Sequence, residues 1–192
     1  MFDHLAYALA WGLFGATHSA LAGGRLRPRL GRWHRLAYNL IAALQLLAVA
    51  WVGAALLGDE PSFALPATLV GVMTAIHVWG WLVLLWSARY YDLGRLGGLA
   101  QLRRPDAPED EGLRLDGPHA YVRHPLYAGG YLILWGAALS PLGLATAVWG
   151  SLYLAIGTYF EERRLLRLYG ESYDRYRRAV PALIPWRGRA IS

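Results

Sequence analysis

Residues 117–130, GPHAYVRHPLYAGG, set an Arg-His pair among backbone breakers at the mouth of a long apolar run. Free N–H groups at a helix start, beside Arg123 and His124, suit an anionic group such as a carboxylate. The same residues also read as a plain helix entrance. Pro125 then takes the first helical position, where its missing N–H costs little, and Arg123 and His124 are ordinary interfacial anchors. Gly129 and Gly130 would let a ligand or a neighbouring helix approach closely. Further on, Glu161 and Glu162 stand where the last apolar run ends, just ahead of Arg163 and Arg164. By position alone this is either an interfacial ion-pair cluster or the carboxylates of a site.

Other polar groups are more isolated. Thr17-His18-Ser19 lies toward the end of the first apolar run, and His77 and Gln45 lie deep in two others. Intramembrane polar groups are functional candidates by default, yet a hydrogen bond between helices accounts for each of them equally well. His18 and His77 sit at different depths with no carboxylate near, so no metal site is expected. The tryptophans Trp79, Trp81 and Trp86 read as belt residues near a span end rather than the lining of a tunnel.

The elements that must position these residues follow from composition. The chain has 192 residues, 56% of them hydrophobic, with nine Trp and a positive mean hydropathy. A soluble domain of this size could not bury so much apolar surface, so lipid is part of its solvent. With no Cys, a disulfide framework, a thiolate metal site and a cysteine nucleophile are all excluded. The net charge of +6 comes from 19 arginines and no lysine. They fall in three blocks, five between Arg25 and Arg35, six between Arg89 and Arg123, and eight between Arg163 and Arg189. Between the blocks lie runs long enough to cross a bilayer at about 1.5 Å per residue. The arginines therefore report topology rather than nucleic acid, and no nucleic-acid partner is expected.

The fold expected is all-α, an integral membrane helical bundle forming a single domain over residues 1–192. Spans are read at about 2–22, 36–57, 65–88, 125–139 and 143–160, with Ser140-Pro141-Leu142-Gly143 as the tight turn between the last two. Arg-rich segments 23–35, 89–124 and 161–192 belong on the cytoplasmic side, while 58–64 and 140–143 carry no basic residue and face outward. Five spans then put the N-terminus outside and the C-terminus in the cytoplasm of a bacterial inner membrane. The middle of the long loop, Arg103 to Gly112, is polar and turn-forming and reads as a mobile excursion. From 161 the chain continues as an amphipathic cytoplasmic helix. Glu162, Leu166, Tyr169, Tyr173, Tyr176 and Val180 recur at i+3/i+4 along it, and Glu171–Arg175 and Asp174–Arg178 are favourable i,i+4 pairs.

GPHAYVRHPLYAGG, followed by FEERRLLRLYGESYDRYRRAVPALIP (160–185), resembles the C-terminal signature of the isoprenylcysteine carboxyl methyltransferase and phospholipid methyltransferase superfamily. Arg-His-Pro-x-Tyr, a helical hairpin, Glu-Glu, and Tyr-Gly-x-x-Tyr-x-x-Tyr before Val-Pro-x-x-x-Pro occur in that order. The resemblance implies a small integral-membrane enzyme using S-adenosylmethionine, with a cofactor-binding region over 113–185. Tyr121, Val122, Arg123, His124, Leu126, Tyr127 and Gly130 would line the cofactor site, Arg123 and His124 near the methionine carboxylate. Glu161 or Glu162 would meet the ribose hydroxyls or the methionine ammonium, and Tyr173 and Tyr176 would close the site. Glu162, Arg123 and His18, the last at the depth expected of that site, are the catalytic candidates. His119 and Ala120 depart from the family, whose members commonly carry an aromatic and a basic residue there. Ala179 likewise replaces an Arg often found before the Val-Pro in enzymes acting on prenyl-cysteine carboxylates.

Methyl transfer from a sulfonium is an in-line displacement, so the protein chiefly aligns donor and acceptor and excludes water. Thr17-His18-Ser19 and LGGLAQ (96–101) resemble the methanethiol S-methyltransferase and NnrU-like branches. The acceptor expected is a small thiol or a lipophilic, isoprenoid-cysteine-like molecule that enters from the membrane lipids. The alternatives are a non-enzymatic accessory membrane protein of the NnrU type and a phospholipid N-methyltransferase.

Overall fold

A computed structural model of the chain describes residues 1–22, 27–103 and 112–187. Among them there is no strand. In chain order the helices are α1 (Phe2–Ala22), α2 (Arg27–Leu30), α3 (His34–Leu57), α4 (Ala67–Ala88), α5 (Leu93–Gly97), α6 (Leu99–Arg103), α7 (Pro125–Gly136), α8 (Pro141–Tyr169) and α9 (Glu171–Ala179). Short 3-10 turns occupy Gly31–Trp33 and Gly117–Ala120. Three helical segments, Arg27–Leu57, Ala67–Ala88 and Pro141–Tyr169, are long and apolar enough to cross a membrane. The middle of the polar excursion expected between Arg103 and Gly112 lies outside the described residues.

The chain divides into two compact units. The first holds Met1–Pro61 and Asp92–Asp110. Here α1 packs on α3, and its buried residues Tyr7, Trp11 and Phe14 recur at helical spacing and meet one another edge to face at 6.4 and 5.9 Å. Leu5, Leu9 and Leu13 on α1 and Leu40, Leu44, Leu47 and Trp51 on α3 are exposed in stripes of the same period. Apolar stripes on the outward faces of apolar helices mark lipid as the surrounding medium. The stretch 89–103 was expected to be loop and instead forms α5 and α6. The Asp92 side chain caps α5 by accepting from the Arg95 N–H at 3.0 Å, and Asn39 of α3 donates to the Leu96 carbonyl at 2.7 Å.

The second unit holds Ser62–Tyr91 and Glu111–Ser192. Its axis is the seam between α4 and α7, which is built on small residues. A Cβ placed on Gly80 would lie 2.6 Å from the Ile133 backbone nitrogen and 2.9 Å from the Gly129 carbonyl oxygen. Of the two uses foreseen for Gly129 and Gly130, helix packing is the one seen: Gly129 faces Gly80 and Leu84 of α4, and Gly130 faces Leu154 of α8. His77 joins the same seam. Its Nδ1 lies 2.8 Å from the Ile133 carbonyl oxygen, and the Trp81 indole donates to its Nε2 at 3.0 Å. Both ring nitrogens are thus used within the helix pair, and His77 is a structural contact.

Two boundaries differ from expectation. Helix α7 stops at Gly136, not near 139, so its 12 residues span about 18 Å. The tetrapeptide Ser140-Pro141-Leu142-Gly143 is not a turn but the start of α8: Ser140 is the N-cap and accepts from the Gly143 N–H at 3.1 Å, with Pro141 at the first helical position. Past the apolar part, α8 runs to Tyr169, where Gly170 at φ +55° breaks it before α9 begins. The amphipathic stripe survives that break. Tyr173, Tyr176 and Val180 form a buried cluster with Leu165, Leu166 and Tyr169 of α8 and with Leu113 and Leu115. Glu171–Arg175 and Asp174–Arg178 pair at 3.7 and 3.0 Å as expected.

The seam yields a prediction. Gly80→Val forces α4 from α7 and should destabilise the protein by about 1–3 kcal/mol, read as a lower thermal unfolding midpoint in detergent. Gly71→Ala on the same helix meets nothing within 4 Å and should leave the midpoint where it is or raise it.

Candidate active site

The site is assembled where four pieces of the second unit meet: the 3-10 turn 117–120, the extended link into α7, the polar end of α8, and α9 with its tail. The turn starts at Gly117, whose φ of +55° and close contact with the Tyr90 ring exclude a side chain. Pro118, His119 and Ala120 are then buried. The chain extends, and the Arg123 and His124 N–H groups donate to the carbonyls of Pro181 and Ala182 at 2.9 and 3.0 Å. The N–H groups of Arg123 and His124 are therefore spent on the tail. Opposite, the Tyr176 hydroxyl donates to the His119 carbonyl at 2.6 Å, locking α9 to the turn.

Within this frame Arg123, His124 and Glu162 form a buried ionic cluster, their side chains 10%, 5% and 18% exposed. Arg123 Nε donates to Glu162 Oε1 at 2.9 Å, Arg123 Nη2 donates to the same oxygen, and His124 Nε2 lies 3.1 Å from it. Arg123 Nη1 donates to the carbonyls of Arg177 and Val180 at 3.2 and 2.5 Å. Four of the five guanidinium N–H groups are thus engaged, leaving one on Nη2. Among the described residues Glu162 Oε2 receives no hydrogen bond. His124 also faces Glu161, its Nδ1 3.6 Å from Oε2, and stacks on Tyr127 at 5.6 Å between ring centres. The Tyr127 hydroxyl is hydrogen-bonded to Glu161.

Around this cluster lie aromatic hydroxyls and a second imidazole. Burial and then the Glu162 carboxylate push the Tyr173 phenol up to about 12, Arg123 opposing. Burial, reinforced by Tyr173, raises Tyr176. Both are neutral hydrogen-bonding groups at pH 7. Among the described residues, two buried polar atoms here, the Tyr173 hydroxyl oxygen and His119 Nε2, meet no partner at hydrogen-bond geometry. Such atoms cost free energy unless a ligand or water meets them.

The structure brings together Arg123, His124, Tyr127, Glu161, Glu162, Tyr173 and Tyr176. Others fall elsewhere. Tyr121 is 46% exposed, Val122 is buried, Leu126 is partly buried, and Gly130 packs toward Leu154. His18 belongs to the first unit, where its Nε2 lies 2.5 Å from the Tyr38 hydroxyl, beside Phe14. Glu162 lies against both Arg123 and His124, because a buried guanidinium recruits a nearby carboxylate. Residues that sequence reasoning passed over are His119, Tyr91 and the carbonyls of Arg177, Val180, Pro181 and Ala182. His119 stood within the motif but was noted only as a departure; backbone acceptors carry no sequence signal.

A buried ion pair ringed by tyrosines and carboxylates thus stands at the rim of lipid-facing helices. The phospholipid methyltransferase family matches residues 85–172, which include the Arg-His-Pro motif and both glutamates. The methanethiol S-methyltransferase of Crocosphaera subtropica is 29% identical over 193 residues, covering 93% of this chain and 73% of that protein. Methanethiol S-methyltransferase 1 of Bradyrhizobium diazoefficiens is 32% identical over 197 residues, covering 93% and 66%. The protein-S-isoprenylcysteine O-methyltransferase of Schizosaccharomyces pombe is 37% identical over 83 residues, covering 40% and 34%. No solved structure matches. The chain belongs to the superfamily of phospholipid and isoprenylcysteine methyltransferases, and it is a methyltransferase.

The ionic cluster gives a stability prediction. Glu162→Ala strands the buried Arg123 guanidinium and should cost about 3–5 kcal/mol. The double variant Arg123→Met with Glu162→Leu should cost less than the sum of the single changes. Equal costs, measured by denaturation in detergent, would mean that the pair does not couple.

Proposed function

We propose that this chain transfers a methyl group from S-adenosylmethionine to a small thiol, or to a lipophilic isoprenoid-cysteine-like acceptor, at the cytoplasmic face of the membrane. The observation that carries this reading is the buried Arg123–His124–Glu162 cluster inside a segment shared with methyltransferases. The kinship with methanethiol enzymes runs over 93% of the chain, whereas the isoprenylcysteine enzyme matches 40% of it, which favours the thiol.

The residues present fit that cofactor. Glu162 Oε2 and the half-exposed Glu161 suit the ribose hydroxyls and the ammonium, while the remaining Arg123 N–H and the Tyr173 hydroxyl suit the methionine carboxylate. When bound, S-adenosylmethionine supplies an activated methyl group on a sulfonium. The chain's own part is to hold Glu162 fixed through Arg123, to keep His124 between the two glutamates, and to exclude water with Tyr173 and Tyr176. Glu162 and Arg123 are the proposed catalytic positions, and His124, Tyr127, Glu161, Tyr173 and Tyr176 the proposed cofactor contacts. His18 with Tyr38 stays a candidate in the first unit.

The reading includes a single functional domain over both units, five membrane spans at 2–22, 36–57, 65–88, 125–139 and 143–160, and the bacterial inner membrane with the N-terminus outside. The distribution of arginine supports it, since five spans leave all 19 on one side. The short α7 crosses only in company with α4 and α8, whose length it borrows through packing and local bilayer thinning.

Two measurements test the proposal. Calorimetry of the purified protein should register S-adenosylmethionine binding, weakened at least ~10-fold in Glu162→Gln and in His124→Ala. Unchanged affinity in both variants would remove the site assignment, and a folded protein that binds no cofactor would favour the accessory-protein alternative. For topology, alkaline phosphatase fused at the C-terminus should be inactive in cells; an active fusion would refute the orientation.

A further inference from the structure

One buried side chain in the turn of the site is used by none of the contacts assigned above. His119 is 7% exposed, and among the described residues its enclosed Nε2 has no hydrogen-bond partner. The ring sits edge-on against Tyr91, centroids 5.4 Å apart, and is hydrogen-bonded to the Arg123 backbone. In the neutral ring with its proton on Nδ1, Nε2 presents a lone pair that no donor among the described residues satisfies. The turn cannot easily rotate it away, because Tyr176 grips its carbonyl at 2.6 Å and Pro118 precedes it.

The surroundings keep this imidazole neutral. Burial lowers its pKa first, and His124 and Arg114 add to that, against the Arg123 backbone bond and Asp116. The groups facing it are Arg114 and Asp116 on the approach, Arg123 and His124 after the turn, Tyr91 at the end of α4, and Tyr176 on α9. Nearby Arg123 is of little use in drawing a proton from a substrate, since its charge is already matched by Glu162. A thiol of ordinary pKa about 8.5 is only roughly 3% ionised at pH 7, and the thiol itself is a poor nucleophile. A thiol acceptor thus needs a base and brings an S–H donor, and the turn offers one enclosed acceptor.

We propose that His119 Nε2 takes the proton of the thiol acceptor, an inference that rests on the thiol-methyltransferase reading above. The S–H bond breaks and its proton passes to Nε2. The electron pair left on the acceptor sulfur forms the new S–CH3 bond. The bond between that methyl carbon and the donor sulfonium breaks, its pair staying on the donor sulfur, which becomes a neutral thioether. The imidazolium then gives its proton to water, and the neutral ring is restored.

The test uses the full chain in detergent, S-adenosylmethionine, and two thiols: a weakly acidic alkanethiol and an aryl thiol already ionised at pH 7. His119→Phe keeps a ring against Tyr91 and removes the lone pair. It should bind S-adenosylmethionine in calorimetry as the unaltered protein does, and lose about 100-fold in kcat with the alkanethiol. With the aryl thiol its loss should stay below about 3-fold, because no proton remains to be taken. The unaltered protein should lose kcat/KM as pH falls through the imidazole pKa; the variant should instead follow thiol ionisation alone. Should His119→Phe not fold, His119→Leu should show the same split between thiols. Equal losses with both thiols would make His119 structural, and lost cofactor binding would make it a cofactor contact; either result overturns the proposal. An unaltered protein that binds no S-adenosylmethionine, or methylates neither thiol, would instead sink the reading on which the proposal stands, and the proposal with it.

Discussion

A guanidinium placed at the edge of lipid has few places to send its charge, and Arg123 sends it to Glu162. That pairing ties the link into α7 to the end of α8, while the other arm of the same guanidinium holds the Arg177 and Val180 carbonyls at the end of α9. Three segments far apart in sequence are thereby gathered on one side chain. The backbone bonds from Arg123 and His124 to Pro181 and Ala182 extend the same junction, so the tail is a wall of the site rather than an appendage. Removing either charge would leave the other without a partner in a place where water cannot replace it.

Because the cluster takes up both members of the Arg-His pair, the site works differently from a plain anion cradle. Glu162 Oε1 serves as the structural oxygen, while Oε2 receives no hydrogen bond among the described residues. Glu161, further out and held by Tyr127 and His124, gives a second carboxylate that is more exposed. Two adjacent residues on one helix thus differ in role because helical geometry points successive side chains about 100° apart, one into the junction and the other to its rim.

Much of this was legible in the sequence, for identifiable reasons. Apolar runs with arginine only between them report helices in lipid, and α1, α3 and α4 begin and end within about two residues of the boundaries expected. The Tyr173–Tyr176–Val180 stripe was readable from its spacing, and it is the core that seats α9. Pro125 at the first position of α7 was also readable. What escaped was decided by groups without a sequence signature. Ser140-Pro141 looked like a turn because the same residue types open turns and helices, and only the Ser140–Gly143 bond decides between them. The Arg-His pair looked available to a ligand because nothing in the string says that Glu162 lies across from both. The α5–α6 stretch read as loop because its helices are five residues each, too short for a periodicity to show.

The same distinction underlies the role proposed for His119. Arg123, His124 and Glu162 satisfy one another, and a set of groups that is mutually satisfied positions a ligand but has little capacity left to exchange a proton with it. His119 is fixed by the same α9 contact, its Nε2 buried and without a partner among the described residues. A protein that keeps such an acceptor buried bears its desolvation cost in every molecule, whether or not substrate is present. That cost is offset only when a donor arrives, and in methyl transfer to a thiol the donor arrives with the acceptor itself.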